Sequence, residues 1–204
     1  TMKPQTMVAI AVLALAAQAV QAHPHLFMQA RYELDLGEEG LVGFWVEWEF
    51  DQYFTGSIMM DYDRDGNRKF DAAETEQVRE NAFSNLENFD YFTFIGSASG
   101  HRGVKSVKEF SVRFERSTLI YRFYVAHRVE ASDLGELTLA AYDPTYFSAI
   151  SYPEDSPVVV SGGSSWSIRA RSRTNRAVQI EYMADDTRPA STSIEELVIA
   201  FERQ

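Results

Sequence analysis

The chain has 204 residues, with 30 acidic against 19 basic side chains, a formal net charge of −11 and no cysteine. This length and the 45% share of hydrophobic residues are typical of one folded domain with a real core and exclude a disordered acidic tail. The charge disfavours nucleic acid and anionic membrane surfaces as partners and favours cations. The lack of cysteine excludes disulfides and thiolate metal sites. Any transition-metal site must therefore use histidine, carboxylate, methionine or backbone groups.

The first 22 residues are predicted to be a secretory signal peptide. Lys3 gives a positive start, Met7–Ala17 is an uninterrupted apolar run, and Val20-Gln21-Ala22 places small residues at the −3 and −1 positions of a cleavage site after Ala22. The apolar run is shorter than the roughly 20 residues that a membrane span needs. The sequence therefore predicts a periplasmic protein with no membrane insertion after cleavage.

Cleavage at that point would make His23-Pro24-His25 the new amino terminus. A terminal histidine offers an α-amine and an imidazole nitrogen to one metal ion, and His25 adds another nitrogen, a donor set that suits Ni²⁺, Co²⁺, Zn²⁺ or Cu²⁺. Pro24 has no N–H, which excludes the square-planar terminal motif that needs a deprotonated amide at position two. His23 and His25 are the predicted transition-metal ligands. The alternative is that this tripeptide is only an extended lead-in to the first strand.

Alternating apolar and polar side chains predict a hairpin at the start of the mature chain. Apolar residues occupy every second position from Leu26 to Leu36, and the same period returns from Val42 to Phe50. The turn signal Gly37–Gly40 separates the two runs, so we expect two paired strands.

The alternation of apolar and polar side chains is interrupted between residues 52 and 90. Gln52–Met60 lacks alternation and is consistent with a short helix. Apolar residues then recur at helical spacing, which predicts an amphipathic helix over about residues 72–89: Val78, Ala82, Leu86 and Phe89. The segment is expected to form a helix–loop–helix insertion.

The twelve residues that precede the second helix and enter its first turn fit an EF-hand calcium loop position by position. Oxygen donors fall at positions one, three, five, seven, nine and twelve: Asp63, Asp65, Asn67, the carbonyl of Lys69, Asp71 and Glu74. Alternate residues of a tight turn converge on one point, and hard oxygen ligands select Ca²⁺ over zinc or nickel. These six residues are therefore the predicted calcium ligands, and Phe70 at position eight is expected to pack inward.

The loop departs from the motif at position six, where Arg68 replaces the glycine that a left-handed backbone favours, at a cost on the order of 1 kcal/mol. Counting the twelve positions from Asp61 instead of Asp63 fits worse, because it places Ala72, which has no carboxylate, at position twelve. The alternative interpretation is an acidic turn followed by a capping box, with Asp71 as N-cap and Glu74 three residues on. Both interpretations can hold together. A lone loop is expected to be a structural site rather than a sensor.

Alternation returns after the insertion. Strands are predicted over Glu109–Glu115, Leu119–Val125, Leu137–Ala141, Trp166–Arg171 and Val178–Tyr182, with polar connections at Ser161–Ser165 and Asp185–Ser193. Short alternating strands favour an α+β, mainly β fold. We predict one antiparallel β-sandwich-like domain over residues 23–204, carrying an inserted EF-hand-like helix–loop–helix at about residues 52–90.

The remaining polar and aromatic candidates are assigned structural roles. His101 is expected to be a solvated loop residue, His127 a strand-edge histidine and Asp143 a turn residue before Pro144. The later aromatic residues are expected in the core, with a pocket lining as the alternative: Tyr142, Tyr146, Phe147 and Tyr152. The sequence contains no nucleophile elbow, metalloprotease helix or phosphate loop. No catalytic residue is therefore predicted.

Four segments together carry a resemblance to a known family: His23-Pro24-His25, Val46–Asp51, the acidic loop with the helix ending at Phe89–Phe92, and Tyr142–Phe147. They resemble an exported bacterial family known as domain of unknown function 1007. The resemblance implies a periplasmic component associated with nickel/cobalt or zinc transporters. The residues of this chain that match the family by position are His23, His25 and Asp143-Pro144-Thr145-Tyr146.

The predicted function is periplasmic binding or delivery of a divalent transition metal for a membrane transporter, with His23 and His25 as its site and a separate structural Ca²⁺ in the loop. Neutral imidazoles and the freed amine would capture the ion and release it as they become protonated. The alternative is a calcium-stabilised periplasmic protein-interaction module without a transition-metal role. A third and more remote hypothesis is an amino-terminal histidine copper oxidase.

Overall fold

The computed structural model describes residues 24–97, 100–162, 165–185 and 187–204. The predicted signal peptide, its cleavage site and His23 lie outside the described residues. No helix within the described ranges is long and apolar enough to cross a membrane.

Strands dominate these ranges, and a helical segment separates the second strand from the third. The strands are β1 Leu26–Gly37, β2 Gly40–Phe50, β3 Thr93–Ser97, β4 Gly100–Gly103, β5 Lys108–Glu115, β6 Thr118–Glu130, β7 Glu136–Ala141, β8 Ser148–Ser151, β9 Val158–Gly162, β10 Trp166–Asp185 and β11 Arg188–Arg203. The helices are α1 Gln52–Tyr62 and α2 Ala72–Val78, followed by a π-helical turn, Arg79–Phe83, and a 3₁₀ segment, Ser84–Phe92. The predicted mainly β fold is confirmed.

The strands form two sheets. One has the order β5-β6-β2-β1-β8, with β9 also paired to β1, and the other has the order β10-β11-β7-β3-β4. The predicted hairpin is confirmed, since β1 and β2 are antiparallel and Tyr32 lies opposite Val46. Pairing is antiparallel in both sheets except that β8 and β9 run parallel to β1. Alternation alone did not predict these two parallel pairs, because it fixes the faces of a strand and not the direction of its neighbour.

One hydrophobic core contains residues of both sheets and of the helical segment. Trp48 on β2 is fully buried, and its ring centroid lies 4.8 Å from that of Phe123 and 6.2 Å from that of Phe83. Leu139 and Leu197 of the second sheet belong to the same cluster. Trp166 Nε1 also donates to the Gly37 carbonyl at 3.1 Å, which links β10 to the end of β1.

The helical segment is fastened to the first sheet at its start. Asp51 is the N-cap of α1: its Oδ1 accepts the Phe54 N–H at 2.8 Å, and its Oδ2 accepts the Phe27 N–H at 2.7 Å. Within α1, Thr55 is buried and its Oγ1 accepts the Leu119 N–H of β6 at 3.1 Å. The insertion is therefore held by specific polar contacts as well as by apolar packing.

The second predicted helix is regular only over α2. Beyond it the backbone widens into the π-helical turn, where Ser84 Oγ donates to the Arg79 carbonyl at 2.7 Å. The following 3₁₀ segment ends in left-handed backbone, with φ of 57° at Asp90, 48° at Tyr91 and 46° at Phe92. The spacing of apolar residues identified the side of this segment that is buried. It did not predict where the regular α-helix ends.

The predicted polar connection Asp185–Ser193 is wrong. Arg188–Arg203 form β11, which pairs with β10 along most of its length, with irregularities between Asn175 and Gln179 and between Met183 and Asp185. The two predicted strands at Trp166 and Val178 are parts of the single strand β10. Polar serine and threonine side chains are compatible with an exposed strand, so their presence did not mark a loop.

Candidate metal centre

The acidic loop joins the end of α1 to the start of α2. Asp63 is the C-cap of α1, and its N–H donates to the Met59 carbonyl at 3.2 Å. Asp71 is the N-cap of α2: its Oδ1 accepts the Glu74 N–H at 2.8 Å, and Glu74 Oε2 accepts the Asp71 N–H at 3.0 Å. The predicted capping box is confirmed, and it fixes the Glu74 side chain at the first turn of α2.

Backbone amides inside the loop point at its carboxylates. Asp63 Oδ2 accepts the Arg68 N–H at 3.0 Å, and Glu74 Oε1 accepts the Arg64 N–H at 2.8 Å. Asp65 Oδ1 accepts the Asn67 N–H at 3.0 Å. The bonds to Asp63 and Glu74 hold the first and last positions of the loop in place.

Arg68 has the backbone conformation expected of position six. Its φ is 62°, in the left-handed region that favours glycine, and Gly66 two residues earlier has a φ of 69°. The departure from the motif is therefore in the side chain and not in the path of the chain.

Three carboxylates converge in this loop. One oxygen each of Asp63, Asp65 and Glu74 lies within 4.8 Å of the others. Ca²⁺ binds oxygen at 2.3–2.6 Å, so two ligand atoms on opposite sides of the ion are about 4.6–5.2 Å apart. Asp63 Oδ1 is buried without a hydrogen-bond partner, and Glu74 is only 5% exposed. These oxygens are close enough together for one metal ion to bind all three.

The side chains of the other predicted ligands form hydrogen bonds within the loop and at the start of α2. Asn67 Oδ1 accepts the Lys69 N–H at 2.7 Å, and the Asn67 side-chain amide donates to Asp65 at 2.6 Å. Asp71 is occupied as the helix cap. Phe70 is half-buried and packs against the main core, as predicted for position eight.

A family described as protein of unknown function (DUF1007) matches residues 8–193. The chain belongs to this family. Two relatives of this DUF1007 protein carry names that give no activity. An uncharacterized 15.5 kDa protein in the trpE 3′ region of Spirochaeta aurantia is 28% identical over 116 residues, which cover 56% of this chain and 83% of the relative. An uncharacterized protein of Haemophilus influenzae is 25% identical over 143 residues, which cover 68% of this chain and 67% of the relative.

Of the two predicted transition-metal ligands in this DUF1007 protein, only His25 lies in the described part. Its N–H donates to the Phe147 carbonyl at 2.8 Å, and its exposed side chain packs against the Phe147 ring with centroids 5.1 Å apart. Among the described residues, three His, Asp or Glu side chains converge closely enough to hold one ion only at the acidic loop. His25 does not belong to that group.

A buried polar pair appears where the sequence predicted a solvated loop histidine, so the prediction for His101 is wrong. Its side chain on β4 is 6% exposed, and its Nε2 lies 2.9 Å from Oε2 of Glu196 on β11, which is 1% exposed. The hydrogen bonds to Glu196 come from Arg173 Nε at 2.5 Å and Asn175 Nδ2 at 2.9 Å. Burial raises the pKa of the Glu196 carboxyl, but the Asn175 and Arg173 bonds and the Arg173 charge outweigh it, and the net pKa is lowered.

No local signal in the sequence could have found this pair, because its two members are 95 positions apart and meet only through the order of the second sheet. The other two polar assignments agree with the structure. His127 lies near the end of β6 and is half-buried; burial, with the nearby Arg102 charge, lowers its pKa. Asp143 organises a turn, accepting the Thr145 N–H at 2.8 Å and the Ser148 N–H at 2.9 Å.

Proposed function

We propose that the chain is an exported, periplasmic calcium-binding module in which one Ca²⁺, held by the loop Asp63–Glu74, fixes an EF-hand-like helix–loop–helix onto a β-sandwich-like body. The observation that carries the proposal is the convergence of Asp63, Asp65 and Glu74, with one Asp63 oxygen buried and unpartnered. The calcium-stabilised interaction module is the function that this geometry supports best.

Electrostatics favour a cation at this point. Three carboxylates within one ion's coordination distance repel one another, and partial burial strengthens that repulsion. Backbone N–H groups of Arg64 and Asp71 compensate the two Glu74 oxygens, and that of Arg68 compensates one Asp63 oxygen. The second Asp63 oxygen, Oδ1, is left without a partner. A divalent ion would remove the repulsion and complete the coordination.

The ligand chemistry favours Ca²⁺ over other divalent ions. The donors are all oxygen atoms, which suits hard cations and disfavours zinc, nickel and copper. Mg²⁺ demands near-ideal octahedral geometry and dehydrates reluctantly, whereas Ca²⁺ accepts the irregular set that a loop of this kind supplies.

The position of the loop gives the ion a structural consequence. Ile58 of α1 and Val78 at the end of α2 are both buried in the main core, and the loop connects the two helices. An ion that binds Asp63 at the end of α1 and Glu74 in the first turn of α2 would lock the angle between them. We propose that Ca²⁺ thereby stabilises the packing of α1 and α2 against the main core.

Thermal unfolding tests this proposal. Protein stripped of metal should melt about 5–10 °C higher when free Ca²⁺ is about 100 times its dissociation constant, because that excess adds about 2.7 kcal/mol to the free energy of unfolding. Glu74→Gln should abolish the rise. Glu76→Gln is the matched control, because it makes the same change at an exposed residue that pairs with Arg79 outside the loop. A wild type whose melting temperature does not change at about 100 mM Ca²⁺, about 100 times the upper end of the dissociation constants of extracellular calcium modules, would refute the proposal.

A second proposed role is delivery of Ni²⁺, Co²⁺, Zn²⁺ or Cu²⁺ to a membrane transporter. The observation that favours it is the exposed position of His25, directly before β1. The test compares metal titrations of a protein that begins at His23 with those of a form that keeps one extra residue before it. Tight binding by the first form alone would support an amine–imidazole site, and equal, negligible binding by both would exclude it.

A further inference from the structure

An apolar cavity of about 350 Å³ lies between the helical segment and the first sheet. Its walls include Phe54 of α1, Leu86 of the 3₁₀ segment, Met28 of β1 and Phe147 before β8. The volume lies within the range of small-molecule sites, about 300–1,000 Å³. Two of its aromatic residues remain exposed, Phe89 at 39% and Phe147 at 52%, so apolar surface extends outward from the cavity. The cavity is separate from the acidic loop, none of whose residues lines it.

Two buried hydrogen-bond donors in the cavity wall have no partner. Trp48 and Tyr121 both line the cavity and are at most 1% exposed, yet Trp48 Nε1 and the Tyr121 hydroxyl make no hydrogen bond. Buried polar groups are nearly always paired, and leaving one unpaired costs about 1–3 kcal/mol. Burial raises the pKa of the Tyr121 phenol, so it stays protonated and remains a donor. Two unpaired donors on residues of this wall indicate that an acceptor atom belongs there.

The charges around the cavity exclude an anionic ligand. None of its described lining residues is Lys, Arg or His, and its one ionisable carboxyl, Asp143, already accepts bonds from Thr145 and Ser148. An anion would lie near that carboxylate within a chain of net charge −11, without a countercharge. A neutral ligand with one acceptor avoids this cost.

The segments that stood out in the sequence meet at this cavity. Leu26 directly follows His23-Pro24-His25, and Phe50 lies within the Val46–Asp51 segment. Phe89 and Phe147 belong to the other two segments. The wall near Phe92 is also the left-handed stretch of backbone, a conformation of high energy that persists only where the surrounding structure imposes it. Four separate parts of the chain thus contribute to one lining.

We propose that this cavity is a binding site for a small neutral amphiphile, a molecule with an apolar body and a carbonyl-type acceptor that pairs with the donors of Tyr121 and Trp48. This site goes beyond the proposed calcium function and does not depend on it.

Three ten-carbon aromatic compounds test the proposal on the full chain. N-Phenyl-1-naphthylamine, whose fluorescence rises in apolar sites, serves as the reporter, and each compound is titrated to displace it. Butyrophenone carries a carbonyl, butylbenzene carries no acceptor and 4-phenylbutyrate carries a negative charge. Butyrophenone should displace the reporter at the lowest concentration and 4-phenylbutyrate at the highest.

Two pairs of variants locate the site and its donors. Leu86→Trp fills the cavity and should abolish reporter binding, whereas Met60→Trp places the same side chain at a position that is 81% exposed and outside the cavity lining, and should not. Tyr121→Phe and Trp48→Phe remove the donors, and at least one should weaken butyrophenone binding about 5–10-fold without changing butylbenzene binding. Tyr121→Phe should not lower the melting temperature, because it removes a buried hydroxyl that has no partner.

Each result decides a part of the proposal. Absence of reporter and butyrophenone binding at millimolar concentration, or equal binding by the Leu86 and Met60 variants, would overturn the site. Equal affinity of the wild type for butyrophenone and butylbenzene would overturn the role of the donors. Tightest binding of 4-phenylbutyrate would overturn the neutral class of ligand.

Discussion

Asp63 and Arg68 are joined by a hydrogen bond across the turn of the acidic loop, from the Arg68 N–H to Asp63 Oδ2 at 3.0 Å. The bond holds the arginine in left-handed backbone with a φ of 62°. The other oxygen of the same carboxylate, Oδ1, is buried without a partner. One oxygen therefore anchors the loop and the second remains available to a cation. This division of roles within one side chain is the basis of the proposed calcium site.

Substitution at Arg68 should separate backbone strain from charge. Arg68→Gly and Arg68→Ala remove the same positive charge beside the three carboxylates, so both should bind Ca²⁺ a few-fold more tightly than the wild type. Only glycine relieves the left-handed backbone, so the glycine variant should be more stable than the alanine variant by about 1 kcal/mol. Urea unfolding in the presence of a chelator measures the difference. Equal stability would show that this backbone is not strained.

Glu196 should make the stability of the protein depend on pH in the acid range. Its folded-state pKa is lowered from an ordinary value of 4.5. A lowered carboxyl pKa stabilises the fold fully above the unfolded value, and this contribution is lost as the pH falls from about 4.5 through the folded value. At pH 7, Glu196→Gln should cost about 1.5–3 kcal/mol, the range for hydrogen bonds to a charged group. The gap to wild type should shrink below pH 4.5.

Glu202→Gln provides the control for Glu196. Glu202 lies on the same strand and also pairs with an arginine of β10, Arg169 at 2.5 Å, but both side chains of this pair are largely exposed to solvent. An exposed pair contributes about 0.2–1 kcal/mol, so this variant should change the free energy of unfolding by no more than that. Similar losses at both positions, or a pH-independent loss at Glu196, would contradict the account of the buried pair.

Two glycines should respond in opposite directions to substitution by alanine. A Cβ at Gly103 would lie 2.1 Å from Oδ2 and 2.5 Å from Cβ of Asp90, whose carboxylate pairs with Lys105. Gly103→Ala should therefore cost about 1–3 kcal/mol. Gly56 lies within α1, and a methyl group added there would meet no heavy atom within 4 Å, so Gly56→Ala should add about 0.5–1 kcal/mol through helix propensity. Chemical denaturation of both variants measures these changes, and a stable Gly103 variant would show that the Asp90 contact can relax.

Residue patterns predicted the elements better than their connections. Alternation located β1 and β2, and the capping box located the start of α2, because both signals are local. The parallel position of β8 beside β1 depends on contacts between distant segments. The same limit explains His101, whose burial depends on Glu196 on another strand. The π-helical turn after Val78 likewise reflects packing, since its sequence has ordinary helical spacing.

The acidic loop Asp63–Glu74 shows both what a motif predicts and what it leaves open. Spacing predicted the convergence of acidic residues and the left-handed backbone at Arg68, because the motif encodes the path of a short turn. It also placed Asp71 both among the ligands and at the helix start, and the structure shows this side chain as the cap of α2. Whether the capping carboxylate also binds an ion depends on local geometry, which spacing alone does not resolve.

Calorimetric titration of metal-free protein with Ca²⁺ tests the central claim most directly. We predict one ion per chain, with a dissociation constant of about 10⁻⁴–10⁻³ M, the range of extracellular calcium modules, and loss of the heat of binding in Asp63→Asn. Absence of saturable binding in the wild type, or unchanged binding in that variant, would contradict the claim that the Asp63–Glu74 loop is a calcium site.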